Sequence, residues 1–142
     1  MKQDPVTIRV THRFKASPER VFDAWLDPAK AARFLFATPT GQMVRAEIDA
    51  RVGGTFVFVR RDGDDVEHTG TYLAIDRPRR LVFTFAVPKF SAAITTVSIE
   101  IVAHGTGCEL TLTHEGVLPE WAERTEGGWR MILEGLAKTV DG

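Results

Sequence analysis

Residues 6–14 alternate between two faces, with Ile8, Val10, His12 and Phe14 on one side and Thr7, Arg9, Thr11 and Arg13 on the other. A period of two with one apolar face predicts a half-buried strand. Ser17-Pro18-Glu19 then offers an N-cap, a proline suited to the first helical position and an acid for the first turn. Val21, Phe22, Trp25 and Leu26 follow as one apolar stripe, which predicts a short helix. Asp27-Pro28 should end it and begin a second, with Ala31, Ala32 and the stretch from Phe34 to Phe36 turned inward.

From Met43 the period returns to two. Strands are predicted over 43–48, 55–61, 66–76, 81–87, 95–103 and 108–115. The breaks between them carry turn residues, as in Arg51-Val52-Gly53-Gly54, Arg77-Pro78-Arg79-Arg80 and His104-Gly105-Thr106-Gly107. Asp62-Gly63-Asp64-Asp65 is the clearest hairpin signal, since Asp-Gly tolerates the positive φ angles a tight turn requires. The last segment changes period again. Trp129, Ile132, Leu133, Leu136 and Val140 fall at i, i+3, i+4, i+7 and i+11, the stripe of a long amphipathic helix. Pro119 marks its start, and Gly127-Gly128 are expected to bend or restart it.

This order predicts an α+β fold. A curved antiparallel sheet of six to seven strands must cover its apolar face, and the C-terminal helix is the element available to do so. Two short helices follow the first strand. A chain of 142 residues fits one domain over residues 1–142 and buries enough surface to need no disulfide or metal.

Charge narrows the function classes. Eighteen basic and nineteen acidic residues leave a net charge of -1. That balance gives no basic field for nucleic acid and no polybasic anchor for a membrane surface. No run approaches the roughly 20 apolar residues of a membrane span, and no signal peptide opens the chain. Cys108 is the only cysteine, so no intrachain disulfide forms and a reducing, cytoplasmic location is expected.

Several motifs in order carry a family resemblance. The run from Arg13 to Trp25, with Ser17-Pro18-Glu19-Arg20-Val21-Phe22-Asp23-Ala24-Trp25, resembles the first strand and helix of proteins related to the activator of the 90-kDa heat-shock chaperone ATPase. Val52-Gly53-Gly54-Thr55-Phe56, Gly70-Thr71-Tyr72-Leu73, the stretch from Arg77 to Thr84 and the closing Gly127-Gly128-Trp129 continue it. One departure is Phe34, where many relatives carry a second tryptophan. The resemblance implies the helix-grip fold of the START/Bet v 1-like (SRPBCC) superfamily, a sheet wrapped around the last helix, with an internal cavity and no shared catalytic set. It also implies that chaperone activation is not the expected role, because residue 1 lies just before the first strand and leaves no N-terminal chaperone-binding domain.

Histidines are the commonest acid-base groups and metal ligands. His12, His68, His104 and His114 lie on four segments without zinc-site spacing, and no nucleophile motif accompanies them. His114 and Glu115 are adjacent, which on a strand separates them unless a bulge intervenes. Gly53-Gly54 lacks the remainder of a dinucleotide fingerprint, and Asp62, Asp64 and Asp65 lack the glutamate that completes a calcium loop. Cys108 has no activating neighbour. Arg77, Arg79 and Arg80 form a basic corner, solvated or turned toward an anionic ligand head or a partner. No catalytic residue, metal or cofactor is therefore assigned.

The expected function is to hold a small apolar or amphipathic ligand between the sheet and the last helix. Its candidate walls are Trp25, Phe56, Phe58, His68, Tyr72, Phe83, Phe85, His114, Trp129 and Leu133. The loops from Phe36 to Gln42 and from Pro88 to Ala93 are candidate gates, and Trp121 a gate or an exposed contact. The alternatives are an acid-base enzyme of the cyclase or hydratase kind, using two of His12, His68, His114, Glu115 and Tyr72, or an interaction domain with a chaperone or other protein. A homodimer is compatible with each.

Overall fold

The computed structural model describes residues 4–35, 41–89 and 94–141. β1 (Val6–Phe14) runs into α1 (Pro18–Leu26), where the Ser17 hydroxyl accepts the backbone N–H of Arg20. Asp27 closes α1 and opens α2 (Pro28–Phe34), its carboxylate accepting the N–H groups of Ala29 and Lys30. Pro28 has no N–H with which to continue α1, so one Asp-Pro step makes two helices.

Six more strands follow among the described residues: β2 (Gln42–Ile48), β3 (Thr55–Asp62), β4 (Asp64–Asp76), β5 (Arg80–Phe85), β6 (Thr95–His104) and β7 (Gly107–Val117). They form one sheet in the order β1-β7-β6-β5-β4-β3-β2, antiparallel throughout. β2 to β7 are successive hairpins, and β1 closes the edge beside β7. The turn between β3 and β4 is the predicted one, with Gly63 at φ +80°. Register shifts in the β1–β7, β2–β3 and β4–β5 pairs mark irregularities that bend and twist such a sheet.

The shift in β7 positions the site. Ile8 stands opposite His114 but Val6 opposite Val117, so three steps along β7 match two along β1. Gly116, at φ +84°, takes a backbone conformation that side chains resist. Alternation along β7 buries Cys108, Leu110, Leu112 and His114, and the extra residue resets it so that Val117 is buried as well. Glu115, between them, is exposed.

A single 3₁₀ turn, Pro119–Trp121, leads into α3 (Ala122–Val140). Trp129, Leu133, Leu136 and Val140 are its buried face, each contributing about 1.5–3 kcal/mol on burial. They join Ile8, Val10, Val21, Phe22 and Trp25 in the core. At its far end the Asp141 carboxylate accepts the N–H groups of Lys15 and Ala16 at 3.1 and 3.0 Å, pinning α3 to the exit of β1. The helix does not restart at Gly127-Gly128: it runs continuously from Ala122 to Val140. The buried stripe on the opposite face carries it through, offsetting the roughly 1 kcal/mol per glycine that an isolated helix would lose.

The arrangement is the helix-grip fold. Among the described residues no helix is long and apolar enough to cross a membrane.

Candidate functional site

A cleft of about 370 Å³ lies where the end of β5 and the start of β6 face the turn from β7 into α3. Phe85, Ala86 and Val87 supply one wall, and Thr95, His114 and Val117 the floor. Gly116 and Leu118 edge it, while Trp121, Arg124 and Thr125 roof it from the 3₁₀ turn and the first turn of α3. Trp121 is 38% exposed, so the roof is also the rim. Arg124 lies over the Trp121 ring, 5.5 Å from its centroid.

His114 has both ring nitrogens engaged. The Trp129 indole N–H donates to its Nδ1 at 2.9 Å, and its Nε2 lies 2.6 Å from the Thr95 hydroxyl. An indole nitrogen only donates, so Nδ1 must be the acceptor and the imidazole is neutral with its proton on Nε2. That proton goes to the Thr95 oxygen, whose own hydrogen goes to the Phe85 carbonyl at 3.1 Å. Every proton in the chain is assigned. Burial holds the pKa of His114 down to about 4. Protonating Nδ1 would also set two donors against each other. His114 is therefore a neutral, saturated group at working pH, unsuited to general acid or base catalysis.

The predicted walls divide into separate groups. His68, Phe85, His114 and Trp129 come together: Phe85 stacks on His68 at 6.1 Å between ring centres and meets His114 and Trp129 edge-on at 5.7 and 6.0 Å. Of these, Phe85 and His114 line the cleft. Burial and the nearby Arg60 charge lower the pKa of His68 to about 4, against the Phe58 and Val66 carbonyls. Phe56, Phe58, Tyr72 and Phe83 form a second cluster along β3, β4 and β5, with ring centres 5.4–6.4 Å apart. There Gly70 is required, because a Cβ would fall 2.4 Å from the Phe56 ring and 1.9 Å from the Thr84 carbonyl. Burial, with the Asp49 charge behind it, raises the pKa of the Tyr72 phenol. Trp25 packs edge-on against Phe34, and Leu133 is wholly buried in the core. The Trp25 indole N–H finds no partner among the described residues.

The other candidates have ordinary surroundings. His114 is buried and Glu115 exposed, so the bulge does not pair them. Cys108 is buried opposite Phe14, and burial pushes its thiol pKa up. The basic corner is partly spoken for. Arg77 grips Asp23 of α1 through two hydrogen bonds at 2.7 and 2.9 Å, and Arg79 pairs with Asp76. Among the described residues no three His, Cys, Asp or Glu are grouped to hold a metal. The candidate gates fall largely on residues 36–40 and 90–93, outside those described.

Thr95, Val117, Leu118, Arg124 and Thr125 line the cleft without belonging to the large inward-facing aromatics that the sequence pattern singles out. Val87 had a signal, since Leu81, Phe83, Phe85 and Val87 share one alternating face. Val117 had a weaker one, the glycine late in a strand that marks a bulge. Arg124 and Thr125 had none, because they reach the cleft only through the path of the 3₁₀ turn.

A sheet gripping its last helix, with an apolar cleft at one end of that helix, defines a START/Bet v 1-like domain. The sequence matches the family described as activator of Hsp90 ATPase homolog 1-like protein over residues 15–141, and the chain belongs to that family. Protein CV1439 of Chromobacterium violaceum is similar in structure, with a TM-score of 0.88 and 27% identity over 96% of this chain and 97% of that one. Mll3558 of Rhizobium loti is similar at TM-score 0.81 and 27% identity, covering 95% of this chain and 96% of its own. An AHSA1-like protein of Aeromonas hydrophila shares the fold at TM-score 0.81 and 22% identity, over 96% and 92% of the two chains. No curated protein matches. The fold is one consistent with a ligand-binding or interaction domain.

Proposed function

We propose that this protein binds a small, largely apolar molecule in the cleft beneath the start of α3. The observation that carries the reading is an apolar cleft whose histidine is locked neutral by Trp129 and Thr95. A space walled by Phe85, Val87, Val117, Leu118 and Trp121 gains affinity from buried apolar area at about 25 cal/mol per Å². An acid-base enzyme would need a group free to exchange a proton there, and His114 is not one.

The volume sets the scale. At about 30 Å³ per water-sized group, 370 Å³ accommodates about 12 non-hydrogen atoms. At about 0.3–0.5 kcal/mol per atom such a ligand gains about 4–6 kcal/mol and binds in the range from tens of micromolar to millimolar. The test is native mass spectrometry on the full chain purified from its own host, followed by denaturing extraction and a thermal-shift screen of small apolar compounds. A discrete molecule of this size, or a compound that raises the melting temperature and shifts the Trp121 and Trp129 indole resonances, is expected. An empty protein that no compound stabilises would overturn the reading in favour of an interaction domain.

A further inference from the structure

We infer that the cleft selects a ligand with a single carboxylate head, seated on Arg124; this rests on the ligand-binding reading above. The polar groups of the cleft are few, and two are already committed. His114 and Thr95 bond to each other, to Trp129 and to the Phe85 carbonyl, which leaves Arg124 and the Thr125 hydroxyl to meet a head group.

Among the described residues Arg124 is the charged one of the lining, and no carboxylate lines the cleft with it. Glu115, Glu120 and Glu123 neighbour the lining in sequence, yet none of them faces it. Elsewhere on the surface Arg13, Arg45, Arg51, Arg61, Arg77 and Arg79 each reach a carboxylate, while Arg9, Arg20, Arg33 and Arg80, like Arg124, pair with none among the described residues but do not line the cleft. Arg124 has no ion pair among the described residues, and it lies against the Trp121 ring. An aromatic face holds a guanidinium by cation–π attraction while leaving the N–H fork at its edge unspent. That fork matches the two oxygens of a carboxylate.

The charge count favours a carboxylate over a phosphate. One guanidinium neutralises one carboxylate, whereas a phosphate dianion would leave uncompensated charge beside apolar walls. The ligand is thus an amphipathic acid: a carboxylate at the rim and a short aromatic or aliphatic body of about 10 carbons within, as the volume allows.

The test uses two probes of equal size, 4-phenylbutyrate and its neutral amide 4-phenylbutanamide. Each is titrated at pH 7.5 into the full chain and into Arg124→Gln, following the Trp121 and Trp129 indole N–H resonances. Arg124 is exposed, so the variant is expected to keep the fold, which its melting temperature will check. In the wild type the acid should bind about five- to tenfold more tightly than the amide, as suits one charge-assisted contact at a solvated rim. Arg124→Gln should bring the acid down to the amide and leave the amide unchanged. Equal affinities in the wild type, or an equal loss of both in the variant, would overturn the head-group assignment and leave the binding site standing. If neither probe moves either resonance at millimolar concentration, the binding reading falls with it.

Discussion

Acidification should destabilise this protein, because His68 and His114 are buried in the neutral form. Each has its pKa lowered from an ordinary 6.5 to about 4, chiefly by burial. The unfolded chain takes up a proton on each histidine as pH falls through 6.5, and the folded chain refuses it until about 4. The unfolded state then binds more protons, so stability declines with falling pH across that window. At pH 5.0 the gap is roughly 1.5 pH units, or about 2 kcal/mol per histidine at 1.36 kcal/mol per unit. Two histidines make about 4 kcal/mol, a large part of the 5–15 kcal/mol that a domain of this kind possesses. Asp23, whose pKa is lowered by its hydrogen bonds from Arg77, loses its contribution only at lower pH. Urea unfolding followed by tryptophan fluorescence at pH 7.5, 6.5, 5.5 and 5.0 measures the loss. A His114→Gln variant starts less stable but should lose only about half as much over the same range. A wild-type stability that changes by less than about 1 kcal/mol between pH 7.5 and 5.0 would refute the assignment of both histidines as buried and neutral.

Trp129→Phe keeps most of the ring and deletes the N–H that His114 Nδ1 accepts. Leaving that acceptor buried costs about 1–3 kcal/mol, and the lost ring volume brings the total to about 2–4 kcal/mol. Urea unfolding at pH 7.5 reads this, and an NMR titration should show His114 protonating at higher pH in the variant; a loss below 1 kcal/mol would refute the bond. Gly128→Ala should stabilise the protein by about 0.5–1 kcal/mol, because Gly128 lies inside α3 with nothing within 4 Å of an added Cβ. A thermal melt checks it, and a destabilised variant would mean that this face of α3 is not open.

The hydrophobic pattern carried the architecture because each element here follows a regular period. The alternation of residues 6–14, the Asp27-Pro28 step and the stripe from Trp129 to Val140 each name one element and its buried face. Gly127-Gly128 do not restart the helix, since glycine's local preference yields to the buried stripe from Trp129 to Val140. The site was legible in part. Phe85 and His114 can be chosen as inward-facing residues near the ends of their strands, and Trp129 as the first of the buried stripe of α3. Nothing in the pattern says that Phe56, Phe58, Tyr72 and Phe83, equally apolar and equally inward, pack against each other instead of around a space. That distinction depends on which rings meet across strands, and so on register, bulges and the close approach at Gly70.

The cleft lies where three irregularities meet. Gly116 inserts a residue into β7, Pro119 turns the chain through a 3₁₀ step before α3, and β5 runs on past its regular pairing to bridge Ala86 to Thr69. Regular strands keep facing side chains in step, so they fill the space between layers to crystal-like density. Each irregularity breaks that step, and where all three coincide the apolar groups of Phe85, Val87, Val117 and Trp121 face a gap that none of them fills. Their missing dispersion contacts are a standing cost that an apolar guest would recover. The roof over that gap is also the weakly tied end of α3. Trp121, at the N-cap position, gives no side-chain hydrogen bond, and two glycines sit within the next two turns, whereas the far end is pinned by Asp141. A helix pinned at one end and without a side-chain cap at the other sets its less firmly tied first turns beside the cleft, where the proposed ligand would enter.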